Sequence, residues 1–305
     1  MQAYNIDTLQ RSVVAGEPGD GWVFGLPPGI STAQWPLDPH NGYPLMHGFT
    51  IRLPEDYRVH GPGIVALSFF ATAADHNDGV PTVNKDIQAI LRNPAATRPD
   101  DPELVPFWES LRETHPRLHR MGDILDLEYA VILLTEAEFS GAPAEPPRRE
   151  GNGYLSRVPA PLWLSVGAAQ ALWRWTPSDD PQQNPAWPYL HGEPPAELGF
   201  NRALRLVVRE SDPNAGKSPR EPGTEATGYQ SPFYFDGEPS AATYRQHKWT
   251  KTHQPNHIGG TMQPMQGIPP MSPYYLEFDE GFGGYNFGTG NAQLDFRDMV
   301  FDWAQ

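Results

Sequence analysis

No cysteine occurs in this chain of 305 residues. Disulfides, thiolate nucleophiles and cysteine-based zinc sites are thereby excluded. Long apolar runs are missing as well. The most apolar window, PAPLWLSVGAAQALW at 159–173, is shorter than a bilayer span and contains Ser165 and Gln170. The first residues, MQAYNIDTLQRSVV, lack the basic stretch and apolar core of an export signal. A soluble, cytoplasmic protein that makes no membrane contact is the expectation. Positive charge is scarce: 22 Lys and Arg stand against 37 Asp and Glu, a net charge of −15. Such a surface repels phosphates and disfavours direct binding of nucleic acid. It suits a plain soluble protein or one that meets a basic partner. There is no Gly-x-Ser-x-Gly elbow, no P-loop and no dinucleotide-binding glycine fingerprint opening a helix.

What the chain does contain is aromatic, proline and glycine residues in quantity. Hydrophobics at 38%, with 14 Phe, 9 Trp and 12 Tyr, supply a core, while 35 Pro and 29 Gly favour short strands and irregular connections over long helices. Strands are expected at 49–53, 64–70 (IVALSFF), 125–135 and 203–210, where apolar residues alternate or run together between turn signals. The spacing predicts helices over 83–92, capped by Thr82 or Asn84, and over 102–120, with Pro116 kinking or ending the second. A helical turn fits 8–14, and 162–175 is apolar without a deciding period. Residues 140–152 and 176–197 read as proline-rich loops, the first as the internal boundary. The resulting fold class is α+β: mostly antiparallel sheets in two halves, about 20–140 and 200–305, with a helical insertion around 83–120, in a single domain over 1–305.

Candidate chemistry is sparse. His253 and His257 are four apart but separated by Pro255, which argues for turn or surface histidines rather than a metal pair. His115 and His119 share a four-residue step on the expected helix, yet HPRLH lacks the glutamate of a zinc-protease helix. Asp75 to Gly79 falls short of a calcium loop. Glu277 and Asp279 share one face of a strand, since strand side chains alternate. Paired carboxylates of this kind do acid–base work in hydrolases. A wet face on an edge strand is the favoured account of them. The glycines of 281–290 read as hairpin turns. No metal or cofactor is expected.

A group of motifs carries a family resemblance. His257-Ile258-Gly259-Gly260 with Pro264 and Gln266, then YYLEFDE at 274–280, a glycine-rich turn and LDFRDMVFDW at 294–303 resemble the closing strands of the YwqG-like bacterial family. Gly25-Leu26-Pro27, Trp35-Pro36, Gly42-Tyr43-Pro44-Leu45 and IVALSFF resemble its first half. Gly-Gly is followed here by Thr261-Met262, which displaces the family's proline to Pro264. The resemblance implies a compact α+β fold in two related halves and no established catalytic site. It also implies a role that some similar proteins have: immunity to a secreted toxin, as in type VI secretion of nucleases. The expected function is therefore a non-enzymatic immunity protein that binds a basic nuclease toxin. A housekeeping interaction domain and a hydrolase using Glu277 and Asp279 are the alternatives. The expected partner contacts are the acidic loop residues Asp75, Asp78, Asp100, Asp101, Asp179 and Asp180, with Trp187 and Tyr189 as aromatic anchors.

Overall fold

The structure, a computed structural model, describes the chain except residues 15, 78, 79, 222–227 and 252. The strands are β1 (Ala3–Thr8), β2 (Gly21–Phe24), β3 (Met46–Arg52), β4 (Ile64–Ala71), β5 (Leu118–Gly122), β6 (Glu128–Thr135), β7 (Asn201–Arg209), β8 (Phe233–Phe235), β9 (Tyr244–Gln246), β10 (His257–Ile258), β11 (Tyr275–Asp279), β12 (Asn291–Asp295) and β13 (Val300–Ala304). Helices are short: α1 (Lys85–Leu91), α2 (Val105–Ser110), α3 (Glu136–Phe139), α4 (Trp163–Val166), α5 (Ala168–Trp175) and α6 (Trp187–Leu190).

Eleven strands form one antiparallel sheet in the order β13-β12-β11-β10-β1-β7-β2-β3-β4-β6-β5, and β8 and β9 form a separate hairpin. The fold is thus α+β and mostly antiparallel. The central pair β1 and β7 joins the run β2–β6 to the run β10–β13. The sheet curls until its edges meet. Trp303 of β13 donates its indole N–H to Asp123, one residue past β5, at 2.7 Å, and the Phe301 and Tyr129 rings lie 3.9 Å apart. The edges meet through side chains, with no β13–β5 backbone pairing among the described residues.

The enclosed core is aromatic. Phe49, Phe69, Phe278, Phe282, Tyr285 and Phe301 interlock at ring separations such as 5.1 Å (Phe49–Phe278) and 5.4 Å (Phe69–Tyr285). Aromatic burial on this scale supplies most of the apolar area of such a core. Gly48, at the bulge of β3, admits the Tyr285 hydroxyl: a β-carbon there would sit 1.5 Å from it. A smaller cluster packs α1 and α2 together through Ile87, Ile90, Leu91 and Phe107.

Three expectations need correction. The helix over 102–120 stops at Ser110. Pro116 lacks the N–H that a helix requires and biases His115 away from helical backbone. The chain then enters β5, where Leu118 pairs with Ile132. Accordingly His115 and His119 do not share a helix face: His115 precedes β5, buried against Glu138, and His119 pairs with Val131 within it. Residues 8–14 form no helix; the N-terminus is instead the central strand β1, flanked by β7 and β10. The strands and α1 otherwise fall close to expectation, with Asn84 accepting from Ile87 N–H as the cap of α1. Residues 162–175 resolve into α4 and α5, separated at Gly167. That residue has φ of 83°, and a β-carbon on it would meet the Glu197 carbonyl at 2.3 Å.

Candidate functional site

The nominated acidic residues do stand mostly at the surface. Asp100 and Asp179 are exposed and bond to no other group among the described residues. Asp180 is exposed and caps the turn at Pro181–Gln183 through Gln182 N–H at 3.0 Å. Asp101 accepts from Tyr154 at 2.6 Å, and the exposed Asp75 accepts from Leu162 N–H at 2.7 Å. Asp78 lies outside the described residues. Trp187 is half-buried and stacks on His191 at 5.8 Å. Tyr189 is misassigned as a contact. It is buried with Phe282 at its ring, its hydroxyl donates to Asp279, and Asn256 Nδ2 donates to that hydroxyl at 3.0 Å.

Glu277 and Asp279 do not form a wet face. β11 is an interior strand between β10 and β12, and Glu277 is 0% exposed. Its outward face carries Tyr275 as well, and that face is roofed by Tyr229, Met262, Ile268 and Met271. Glu277 accepts from Gln263 N–H at 2.8 Å and from Asn291 Nδ2 at 2.8 Å. His257 is also fully buried, not a surface histidine. Its Nδ1–H donates to the Gly259 carbonyl at 2.8 Å, which leaves Nε2 as a bare lone pair 3.3 Å from Glu277 Oε2. Desolvation pushes the Glu277 carboxyl up to about 8, against the opposing hydrogen bonds and Arg209, and pushes the imidazole well below its ordinary value. The pair therefore holds one proton at neutral pH, on the carboxyl. Asp279 is raised too, by burial, while bonded to Tyr189 and Phe282 N–H.

Beside this pair, Arg209 and Asp212 form a buried ion pair at 3.4 Å. Arg209 also donates to Asn5 and to the Gln254 carbonyl, and Asp212 accepts from Thr261 and Asn214. Gly259 and Gly260, at φ of 60° and 81°, turn the chain here; a β-carbon on Gly260 would lie 2.5 Å from Asp212. The Gly-Gly step thus fits the chain around a buried charge network that stitches the roof to the sheet.

A second concentration of charge opens to water. His40, 0% exposed, lies 2.9 Å from Asp38 Oδ1 through Nδ1. Its Nε2 is 3.1 Å from Asp126 Oδ2 and 2.6 Å from Arg92 Nη2. Burial opposes the imidazolium, but Asp38 and Asp126 outweigh it and raise the His40 pKa. Arg92 and Arg120 line a cleft of about 340 Å³ with Glu128, whose carboxyl is raised by burial against the pull of Arg120. None of these residues stands out in sequence. Asp38-Pro39-His40-Asn41-Gly42 reads as turn chemistry, and the partners lie 52 and 86 positions downstream of His40. A carboxylate two residues before a histidine in a proline-fixed turn is the one local signal.

Among the described residues no group of three His, Asp or Glu is arranged to hold a metal ion, and no helix is long and apolar enough to cross a membrane. No family model matches the chain, and no curated protein or solved structure matches it at a significant level.

Proposed function

We propose that this chain is an immunity protein: it binds and neutralises a basic toxin domain, a nuclease delivered by type VI secretion being the favoured partner, in the cytoplasm. The observation that carries this reading is how the charge is distributed. Arg52, Arg92, Arg117, Arg120, Arg157, Arg205, Arg209 and Arg297 are each paired with a carboxylate of the same chain. Asp100 and Asp179 are exposed and form no ion pair among the described residues, in a chain of net charge −15. A field of this sign steers a cationic partner and repels nucleic acid competing for it. The resemblance of 257–303 to YwqG-like domains supports the same role.

Asp100, Asp101, Asp179 and Asp180 are the acidic contacts this reading assigns, with Trp187 as the aromatic anchor. The test begins with capture of the partner from native cells and co-expression of its toxin. Protection and a complex are expected. Replacing Asp100, Asp101, Asp179 and Asp180 together with lysine slows association by about tenfold or more at low salt, and the difference shrinks as salt rises. Unchanged association of that variant, or cells killed despite wild-type protein, defeats the reading.

A catalytic reading through Glu277 and Asp279 has little to stand on. The lone pairs of Glu277 face Gln263 and Asn291 and its proton faces His257, all beneath the roof, and Asp279 is bonded to Tyr189.

A further inference from the structure

The geometry points to a binding site for a single carboxylate carried on an apolar body, in the cleft between Arg92 and Arg120. Each guanidinium is anchored by one nitrogen. Arg92 uses Nη2, which donates to Asp126 at 2.8 Å and meets His40; Arg120 uses Nη1, which donates to the Leu37 carbonyl at 3.1 Å and to Glu128 at 2.6 Å. The Nε and remaining Nη of both residues make no hydrogen bond to any described residue. Their side chains are 40% and 38% exposed, within one cleft. Arg120 keeps Nε–H and Nη2–H as a free parallel pair, the arrangement that suits a planar carboxylate, while Arg92, with Nη2 taken, adds charge and single N–H donors.

The site is also braced from behind. Asp38 orients His40 and accepts from Thr72 at 3.2 Å, and both Asp38 and His40 are buried. Such support fixes the reach of Arg92 before any ligand arrives. The local charges limit what binds. Asp126 and Glu128 already pair with Arg92 and Arg120, so each added negative charge is only partly offset and a monoanion is accepted more readily than a phosphate dianion. The other walls mix Gln34, Ser110 and Thr114 with Trp35, Leu91 and Leu111, and the apolar side chains among them offer contact to a short aliphatic body. The chemistry is common to a free organic acid and to the C-terminus of a peptide with an apolar last residue.

Calorimetric titration of the full chain tests this with 4-methylpentanoate, 4-methylpentanamide, N-acetyl-glycyl-leucine and inorganic phosphate. The acids are expected to bind, the amide at least about tenfold more weakly because the guanidinium groups lose their charged partner, and phosphate no better than the amide. Arg120→Gln lowers acid affinity about tenfold or more, and Leu111→Trp, which fills the cleft, abolishes it. Tighter binding of the acetylated dipeptide assigns the site to a peptide end; tighter binding of the short acid assigns it to a free metabolite-like acid. Should Arg120→Gln fail to fold, the acid–amide comparison on the wild-type chain decides alone. Amide and acid binding equally, a folded Arg120→Gln binding as well as wild type, or neither acid binding at millimolar concentration overturns the proposal.

Discussion

Glu277→Gln separates the role of a buried proton from that of the hydrogen bonds around it. Glutamine keeps the shape of the side chain. With its oxygen in the Oε1 place it accepts from Asn291 at 2.8 Å and from Gln263 N–H at 3.1 Å; its amide N–H in the Oε2 place replaces the carboxyl proton facing His257 Nε2 but gives up the 2.8 Å bond from Gln263. What changes is proton number. In the folded wild type the pair holds one proton until the carboxyl titrates at about 8, while the unfolded chain carries Glu277 at 4.5 and His257 at 6.5. Between 4.5 and 6.5 folded and unfolded states bind one proton each, so this pair leaves stability flat. Between 6.5 and about 8 only the folded state holds the proton, and stability falls as pH rises. At roughly 1.4 kcal/mol per pH unit, the fall amounts to about 2 kcal/mol across that window.

The variant inverts the profile. With no carboxyl, folded His257 stays neutral and unfolded His257 protonates below 6.5. The pair's contribution is then flat above 6.5 and falls by roughly 1.4 kcal/mol per unit as pH drops below it. Urea unfolding followed by tryptophan fluorescence, at half-unit pH steps from 5 to 9, gives both curves. Taking the difference between the two proteins cancels every other titrating group, the raised His40 included. Near pH 6.5 the variant is expected to be about 1–2 kcal/mol less stable, since the shorter Gln263 bond is lost and the others are retained. A variant that keeps the fall between 6.5 and 8 shows that the proton does not reside on Glu277. A loss of more than about 3 kcal/mol at pH 6.5 shows that the amide does not fit the network.

Two further substitutions probe the architecture. Arg209→Met strands Asp212 in the interior and is expected to cost about 3–5 kcal/mol in chemical unfolding; a loss below about 1 kcal/mol means that the roof is held without this pair. Trp303→Phe removes the donor that reaches Asp123 across the closing edges, at an expected cost of about 1 kcal/mol, with faster amide exchange concentrated in β13; unchanged exchange there assigns edge closure to the Phe301–Tyr129 contact alone.

Much of the sheet is legible in sequence because its signals are local. Ile64–Ala71 and Glu128–Thr135 are apolar runs between turn residues, and Asn201–Arg209 alternates. Asn84 announces α1 as a side-chain cap. What misleads is periodicity without regard to partners. Leu104, Phe107, Trp108 and Leu111 do form one apolar face, but Leu118 continues the spacing only by coincidence, since it faces Ile132 across a strand pair formed after Pro116. The N-terminal strand carries too few apolar residues to declare itself; its place in the sheet comes from β7 and β10, which lie some 200 residues away or more.

The failure at Glu277 is more instructive, because the local inference was sound. Tyr275, Glu277 and Asp279 do share a face, and Asn291, Gln293 and Asp295 alternate in the same way on β12, paired alongside. A polar face of this extent normally meets water. Here 262–271 and the chain around Tyr229 fold over it, so Asn291, Gln293 and Asp295 are buried with Glu277. Burial of that face is tolerable only because each strong acceptor finds a donor. Asp295 takes Ser272 N–H and hydroxyl at 2.6 and 2.9 Å, and Glu277 takes Gln263 and Asn291. The roof is thus specified by polar pairing as much as by Tyr229, Met262, Ile268 and Met271. Alternation tells which residues share the face; only the return of a distant loop decides whether that face is wet.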